Sequence, residues 1–425
     1  MIENFYYAIL FVLIANFILE RWLDYLNTTN WTSELPPELL GIYDEEKYRK
    51  SQEYEKATYR FTVITESLGF IAVLLIFAFG GFGWLDGIIR SKLTNPIFIA
   101  LVFFAIIGLI TEIGSLPFSW YFTFIIEEKF GFNKSTPRIF FFDQLKGLLL
   151  GAVIGGILLY LIVWIYLIAG TLFWVYSLLV IAVFSVFMLL FYSNLIVPLF
   201  NKQTPLAEGE LKTAIREFSN KAGFLLDNVF VIDGSKRSTK ANAYFTGLGR
   251  KKRIVLYDTL ISEMKTEEIV AVLAHEIGHY KKHHVLSGLF FSLLTTSLML
   301  YLFSIVGRYP VFAQALGSDV PSFHLAVISF GILYSPLSLI LGLGMNYISR
   351  MNEYQADKFA AEKYKGEYLA SALKKLSINN LSNLTPHPVY VFFHYSHPTL
   401  LQRLKKLKVN SGEKELTNDI IGKEL

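Results

Sequence analysis

The sequence predicts an α-helical multi-pass membrane protein that also carries a small α+β domain. Of its 425 residues, 53% are hydrophobic and only 17% are charged, and the mean hydropathy is +0.44. Because soluble globular proteins carry about a quarter charged residues, this balance favours a lipid environment. Seven apolar stretches and one long polar segment, 196–284, complete the pattern.

The seven apolar stretches reach or approach the about 20 residues that a helix needs to cross a hydrocarbon core of about 30 Å. They cover 5–22, 61–84, 97–118, 148–168, 172–195, 285–306 and 325–347. The fourth and fifth are joined almost directly and should form a tight antiparallel pair. The first has Glu3 close to its start, lacks a basic region and has no cleavage site after it, which favours a span over a signal peptide.

Basic residues in the connecting segments predict the orientation in the membrane. They concentrate after the first and third spans, as Lys47, Arg49, Lys50, Lys56 and Arg60, and as Lys129, Lys134, Arg138 and Lys146. The alternate segments hold only Arg90 and Lys92, none, and Arg308. By the positive-inside rule, the N-terminus faces out and the C-terminus faces the cytoplasm. The segment 196–284 and the region after residue 347 therefore lie on the same side.

The polar segment has the pattern of a folded unit. Residues 229–232 and 253–257 read as short strands, and Thr266 followed by two acids predicts the start of a helix that runs to about His284. The expected organisation is five spans in 1–195, a cytoplasmic segment in 196–284, two spans in 285–347 and a second cytoplasmic segment in 348–425.

A His-Glu-x-x-His pattern falls on the predicted helix. His275 and His279 are four residues apart, so both imidazoles project from one face and can share a tetrahedral metal ion. Glu276 lies where it can take a proton from metal-bound water, whose pKa zinc lowers to about 7. The alternative is an amphipathic helix with incidental histidines. The helix start and the apolar neighbours favour a zinc metalloprotease domain.

Glu353 is the best candidate for a third ligand. It follows the seventh span on the side predicted to be cytoplasmic, and Asp357 lies one helical turn further on. One carboxylate can bind zinc while the other accepts the free N–H of a ligand histidine. The alternative is a solvated acidic turn at the end of a membrane helix.

Two further histidines follow the His-Glu-x-x-His pattern. His283 and His284 continue the helix, but the adjacent Lys281 and Lys282 mark a membrane edge, so we expect interfacial residues rather than ligands.

The chain contains no cysteine, which limits metal ligands to His, Asp and Glu. A net charge of +4 without a dense basic run gives no case for a nucleic-acid partner.

These residues together resemble the type I CAAX prenyl proteases, the a-factor-converting zinc metallopeptidases. The likeness covers the two zinc-binding patterns and extends to segments 127–134, 234–238, 242–245 and 394–398, and to Arg403. One departure is Lys240, which stands where many relatives are expected to have a histidine.

The resemblance implies seven helices around a water-filled chamber, with one Zn²⁺ per chain at its cytoplasmic end. It implies hydrolysis near the C-terminus of isoprenylated CAAX proteins, with release of the last three residues. It suggests catalytic roles for His397 and Arg403, which could stabilise an oxyanion, and substrate contacts for Asn242, Ala243 and Tyr244 on a strand that could pair with a peptide. The alternative is that His397 only shapes a turn before Pro398 and Arg403 only pairs with a carboxylate.

Two other functions stay open on the sequence alone. A membrane-protein quality-control protease of the HtpX type is disfavoured by the extra N-terminal spans. A transporter without catalysis gives no reason for Glu353 to match the two histidines. The expected partners are the lipid bilayer and a peptide or prenylated protein substrate, and the expected state is a monomer. Its membrane would be a bacterial inner membrane or, in a eukaryote, the endoplasmic reticulum.

Overall fold

The computed structural model of the chain describes residues 2–32, 34–35, 40, 44–224, 229–247 and 252–410, and within these ranges it is mainly helical. The helices are α1 Ile2–Thr28, α2 Glu45–Ala78, α3 Gly81–Arg90, α4 Pro96–Tyr121, α5 Pro137–Ile168, α6 Phe173–Leu195, α7 Val197–Phe200, α8 Glu210–Lys221, α9 Asp258–Glu263, α10 Thr266–Lys281, α11 His284–Val306, α12 Val311–Gln314, α13 Phe323–Lys363, α14 Gly366–Asn379, α15 Pro388–His394 and α16 Leu400–Asn410. The strands are β1 Gln203–Pro205, β2 Val229–Ile232, β3 Ala243–Thr246 and β4 Arg253–Tyr257. Residues 411–425 of the predicted second cytoplasmic segment lie outside the described residues.

Seven helices in the described part of the chain are long and apolar enough to cross a membrane, which confirms the predicted number. The spanning helices are α1, α2, α4, α5, α6, α11 and α13. Between 6% and 22% of each apolar window is buried inside the protein, so most of these apolar side chains face lipid or the space between helices. The multi-pass membrane class predicted from composition is therefore correct.

The second predicted span, 61–84, crosses a break in the structure. Helix α2 ends at Ala78, Gly80 adopts a left-handed conformation with φ of 64°, and α3 begins at Gly81. Glycine takes this conformation without steric cost, so the chain can turn here inside an apolar stretch. Hydropathy alone does not register the turn.

Two spanning helices continue well beyond their apolar windows. Helix α2 begins at Glu45, where the Asp44 side chain caps it by accepting a hydrogen bond from the Lys47 amide at 2.7 Å. Helix α13 extends past the predicted end at residue 347 to Lys363. This extension carries the predicted third ligand on a rigid element.

The four strands form one sheet with the order β1-β2-β4-β3. The predicted strands 229–232 and 253–257 are confirmed as β2 and β4, which pair in parallel, and β3 lies antiparallel to β4 at one edge. Leu256, Ala274 and Ile277 are fully buried in the core between the sheet and the helices. The same core includes Ala360 and Leu373, so the region after the seventh span packs against the segment before the sixth.

Candidate active site and metal centre

The site forms where α10 and α13 cross at close range. Gly278 lies at the crossing, and a Cβ built on it would lie 3.1 Å from the Cα and carbonyl oxygen of Ala356. That distance is shorter than ordinary van der Waals contact, so only glycine lets the two backbones approach this closely. The crossing places the histidines of one helix opposite the carboxylates of the other.

His275, His279 and Glu353 converge at this crossing. The two histidine Nε2 atoms are 3.1 Å apart, and Glu353 places Oε1 3.1 Å from His279 Nε2 and Oε2 3.5 Å from His275 Nε2. One ligand atom from each residue lies within 4.8 Å of the others, as expected of residues that share a metal ion.

The unsatisfied atoms of this cluster indicate a cation. Glu353 is buried, yet its Oε2 accepts no hydrogen bond from the described residues. Its nearest charged or ionisable neighbours are an Arg403 Nη at 3.4 Å and His275 Nε2 at 3.5 Å, and a metal ion bound between the three side chains would satisfy the oxygen better. Two imidazoles and one carboxylate form a common donor set for catalytic zinc, so the residues fit the ion.

The charges around His275 favour a cation at the same place. Its Nδ1 lies 2.8 Å from Asp357 Oδ1, and Arg403 donates to both oxygens of Asp357, at 2.9 and 2.6 Å. Burial lowers the pKa of His275, but its hydrogen bonds to Asp357 and Glu353 outweigh burial and raise the pKa to about 9. Carboxylates that hold a proton this firmly also favour a divalent cation in its place.

Glu276 lines a cavity of about 610 Å³ together with His275, His279 and Glu353. Burial raises the pKa of Glu276 above its ordinary value. A carboxylate with a raised pKa in a water-accessible cavity beside a metal site can take and return a proton.

His397 and Arg403 line the same cavity and contact the carboxylate of Glu353. His397 Nδ1 lies 3.0 Å from Glu353 Oε1, and its side chain is 64% exposed, so the imidazole is open to the cavity. Arg403 places an Nη atom 3.4 Å from Glu353 Oε2 while it pairs with Asp357. The carboxylate pairing considered for Arg403 is present, and it holds the guanidinium beside the metal-binding residues.

The edge strand β3 borders the cavity. Its only strand partner among the described residues is β4, and Ala243 and Phe245 line the cavity together with Asn242 just before the strand. Tyr244 is not among the described residues that line it, and its hydroxyl accepts a hydrogen bond from the Gln203 side chain at 3.4 Å. The alternation of side chains along a strand places Phe245 rather than Tyr244 beside Ala243 on the cavity.

Lys240, the departure from the family pattern, is not among the described residues that line the cavity. Its ammonium lies 3.1 Å from Glu127, donates to the Tyr54 hydroxyl at 3.0 Å and sits 4.4 Å from the ring centre of Phe132. The lysine therefore ties the segment before β3 to α2 and to the loop after α4.

His284 is the residue that the sequence interpretation missed. It is 8% exposed, and its Nδ1 lies 3.0 Å from Nδ1 of His279. The predicted helix to His284 is too long, because α10 ends at Lys281 and His283 adopts a left-handed conformation with φ of 58°. This turn directs His284 back toward the site, whereas His283 is exposed.

Comparisons with known families agree with the fold. The family model described as CAAX prenyl protease N-terminal, five membrane helices, matches residues 24–202. The model of peptidase family M48 matches residues 205–410, a range that contains all the residues of the site.

Similar proteins and a similar structure extend over nearly the whole chain. CAAX prenyl protease 1 of Saccharomyces cerevisiae is 37% identical, with 95% of each chain covered. The homologue of Homo sapiens is 35% identical over 89% of each chain. The crystal structure of S. mikatae Ste24p superposes with a TM-score of 0.90 at 36% identity and covers 95% of this chain and 99% of that one. The chain therefore belongs to the CAAX prenyl protease 1 family of membrane-embedded M48 zinc metalloproteases.

Proposed function

We propose that this protein hydrolyses a peptide bond near the C-terminus of prenylated CAAX-type proteins and releases their last three residues. The convergence of His275, His279 and Glu353 in a cavity bordered by the edge strand β3 carries the proposal. The substrate class is supported by the name CAAX prenyl protease 1, which relatives at 35–37% identity carry.

In this proposal, His275, His279 and Glu353 hold one Zn²⁺ per chain, and Asp357 orients His275 through its Nδ1. A zinc ion at this place would lower the pKa of its water and polarise the substrate carbonyl. Glu276 accepts the proton of the attacking water and passes it to the leaving amine, a role for which its raised pKa suits it.

The remaining residues bind the peptide and stabilise charge. The edge strand β3 at Ala243, with Asn242 beside it, adds the substrate as an extended strand through backbone hydrogen bonds. His397 and Arg403 stabilise the negative charge that develops on the carbonyl oxygen, because both present N–H donors beside Glu353. Tyr244 supports the strand from its other face.

The charge pattern supports the location that we propose. With spans in 1–195 and 285–347 and cytoplasmic segments 196–284 and 348–425, the active site would face the cytoplasm, and the basic residues after the first and third spans support this orientation. The protein acts as a monomer in the endoplasmic reticulum of a eukaryotic cell or the inner membrane of a bacterial one.

The test compares zinc content and cleavage in purified wild-type and variant proteins. Glu276→Gln is expected to keep zinc and lose cleavage, because it removes the base and leaves the ligands. Glu353→Ala is expected to lose both. Glu362→Ala, on the exposed face of the same helix, is the control. Full zinc and activity in Glu353→Ala would contradict the ligand assignment.

The substrate class needs its own measurement. Cleavage of a CAAX peptide is compared with and without its prenyl group, and the prenylated form is expected to have the higher kcat/KM. Equal cleavage of both forms, and of unfolded membrane proteins, would favour the quality-control function instead.

A further inference from the structure

The two ring nitrogens of His279 have different neighbours. Nε2 faces the proposed metal site, 3.1 Å from both His275 Nε2 and Glu353 Oε1. Nδ1 faces away from it, 3.0 Å from Nδ1 of His284. The other nitrogen of His284, Nε2, lies 3.3 Å from Oε1 of Gln355. The three side chains thus form a hydrogen-bonded chain that ends at His279.

The direction of these hydrogen bonds follows from the chemistry of the groups at the two ends, His279 and Gln355. A histidine that binds a metal through Nε2 carries its proton on Nδ1, so His279 donates to His284. A neutral imidazole has one donor and one acceptor, so His284 then donates from Nε2. Its neighbour there is the amide oxygen of Gln355, which only accepts. Both hydrogen bonds are satisfied when they run in the same direction.

The break between α10 and α11 makes this contact possible. In a continuous helix, a residue five positions after His279 would lie about 140° around the axis and would point away from it. The left-handed conformation of His283 ends α10, and α11 starts with His284 buried against the site. A turn that costs about 1 kcal/mol or more at a non-glycine residue is maintained where it serves this contact.

We propose that His284, supported by Gln355, is a positioning residue that fixes the ring orientation and the tautomer of His279 and thereby strengthens metal binding. The inference rests on the proposed ligation of zinc by His279. It gives each ligand histidine its own acceptor, because His275 donates to the Asp357 carboxylate and His279 donates to a neutral imidazole. Partners of this kind change metal affinity by about 10- to 100-fold.

The test measures the zinc dissociation constant of the full-length purified protein by competition with a chelator. His284→Ala is expected to bind zinc about 10- to 100-fold more weakly. His284→Gln is expected to recover part of the affinity, because its amide oxygen can accept from His279. Gln355→Leu is expected to lose only a few-fold, since it removes the second hydrogen bond and leaves the first.

The neighbouring histidine supplies the matched control. His283→Asn removes an exposed imidazole at a left-handed position that asparagine tolerates, so zinc affinity is expected to stay at the wild-type value. Wild-type affinity in His284→Ala would overturn the inference and would leave the proposed function standing if Glu353→Ala still loses zinc. Retention of zinc by Glu353→Ala would instead remove the ligand set itself.

A folding defect in His284→Ala is recognised by thermal unfolding of the zinc-free proteins. In that case, the zinc affinities of His284→Gln and Gln355→Leu are compared with that of the control, His283→Asn. Equal zinc affinity in these three variants would overturn the inference. A higher zinc affinity in His283→Asn than in the other two would support it.

Discussion

Helix α13 carries a buried polar cluster near each of its ends, and the two clusters differ in how their charges are satisfied. Near the N-terminal end, His324 and Arg90 both bond to Asp86, at 2.8 Å from His324 Nε2 and at 2.9 and 2.8 Å from Arg90 Nε. Near the C-terminal end, Glu353 and Asp357 face α10. His324 and Glu353 are about 44 Å apart along the helix.

The difference separates a structural cluster from a functional one. Both oxygens of Asp86 accept hydrogen bonds, including one from Ser318 at 3.0 Å, and the carboxylate is 1% exposed. Glu353 is also buried, at 3% exposed, but one of its oxygens accepts no hydrogen bond from the described residues. A fully partnered buried charge fixes one arrangement of the chain, whereas a partly partnered cluster keeps the capacity to bind an ion.

The largest difference between the two clusters is expected from an Arg→Lys substitution made separately in each. Arg403→Lys removes the two-pronged contact with Asp357 beside the proposed oxyanion position, and kcat/KM should fall about 10³-fold. Arg90→Lys removes the contact of Arg90 Nε with both oxygens of Asp86 and should leave kcat/KM near wild type. Steady-state kinetics on both variants measure this contrast, and an equal loss in the two would abolish the distinction between the clusters.

Removal of Asp86 tests the structural cluster directly. Asp86→Ala leaves Arg90 and His324 without their carboxylate and should lower the free energy of unfolding by about 3 kcal/mol. Zinc content should stay unchanged, because the cluster lies at the other end of α13. Thermal unfolding in detergent and metal analysis check both parts, with the exposed Asp319→Ala as control. A loss of zinc without a loss of stability would reverse the assignment.

The close crossing at Gly278 links the functional cluster to backbone packing. In Gly278→Ala, the new methyl group would contact Ala356 and the Phe359 Cβ at 3.1–3.2 Å, so α13 must shift by a few tenths of an ångström. Such overpacking costs about 1–3 kcal/mol, and displacement of Glu353 should lower kcat/KM by about 30-fold. Gly147→Ala, where a Cβ meets nothing within 4 Å, should have wild-type kinetics.

The sequence predicted the parts of the molecule that depend on local pattern. The seven spans follow from apolar length, strands β2 and β4 from their apolar runs, and His275, His279 and Glu353 from spacing and side of the membrane. His284 could not be predicted in this way, because its position depends on a left-handed residue at His283 that a helical pattern conceals. The break at Gly80 is likewise a local turn inside an apolar run.

Contacts between distant segments were also beyond the sequence. The pairing of Asp86 with His324 joins α3 to the start of α13, and no spacing rule connects two residues so far apart in the chain. Lys240 shows the same limit. The sequence marked it as a departure from the family, but only the fold reveals that Glu127 and Tyr54 are its partners.

A third polar cluster, at the start of α10, can be compared with the cluster at Asp86, and its expected effect on stability is smaller. Glu268 is buried and accepts hydrogen bonds from the Lys265 amide at 2.8 Å, from Lys375 at 2.6 Å and from Ser371 at 2.7 Å. Burial raises the pKa of Glu268, but these hydrogen bonds outweigh burial and hold the pKa below its ordinary value of 4.5. Both oxygens of Glu268 have partners, as both oxygens of Asp86 do. We therefore expect Glu268 to stabilise the fold rather than to bind an ion.

Since the pKa of Glu268 is lower in the folded than in the unfolded chain, its stabilisation is present above about pH 4.5 and is lost as the pH falls through the folded value. Glu268→Gln should therefore be less stable than wild type by about 1 kcal/mol at pH 7, and the difference should disappear in acid. Unfolding measured from pH 7 to pH 3 tests this, with Glu267→Gln as the adjacent control. A difference that stays constant over this range would show that Glu268 contributes through packing rather than through its charge.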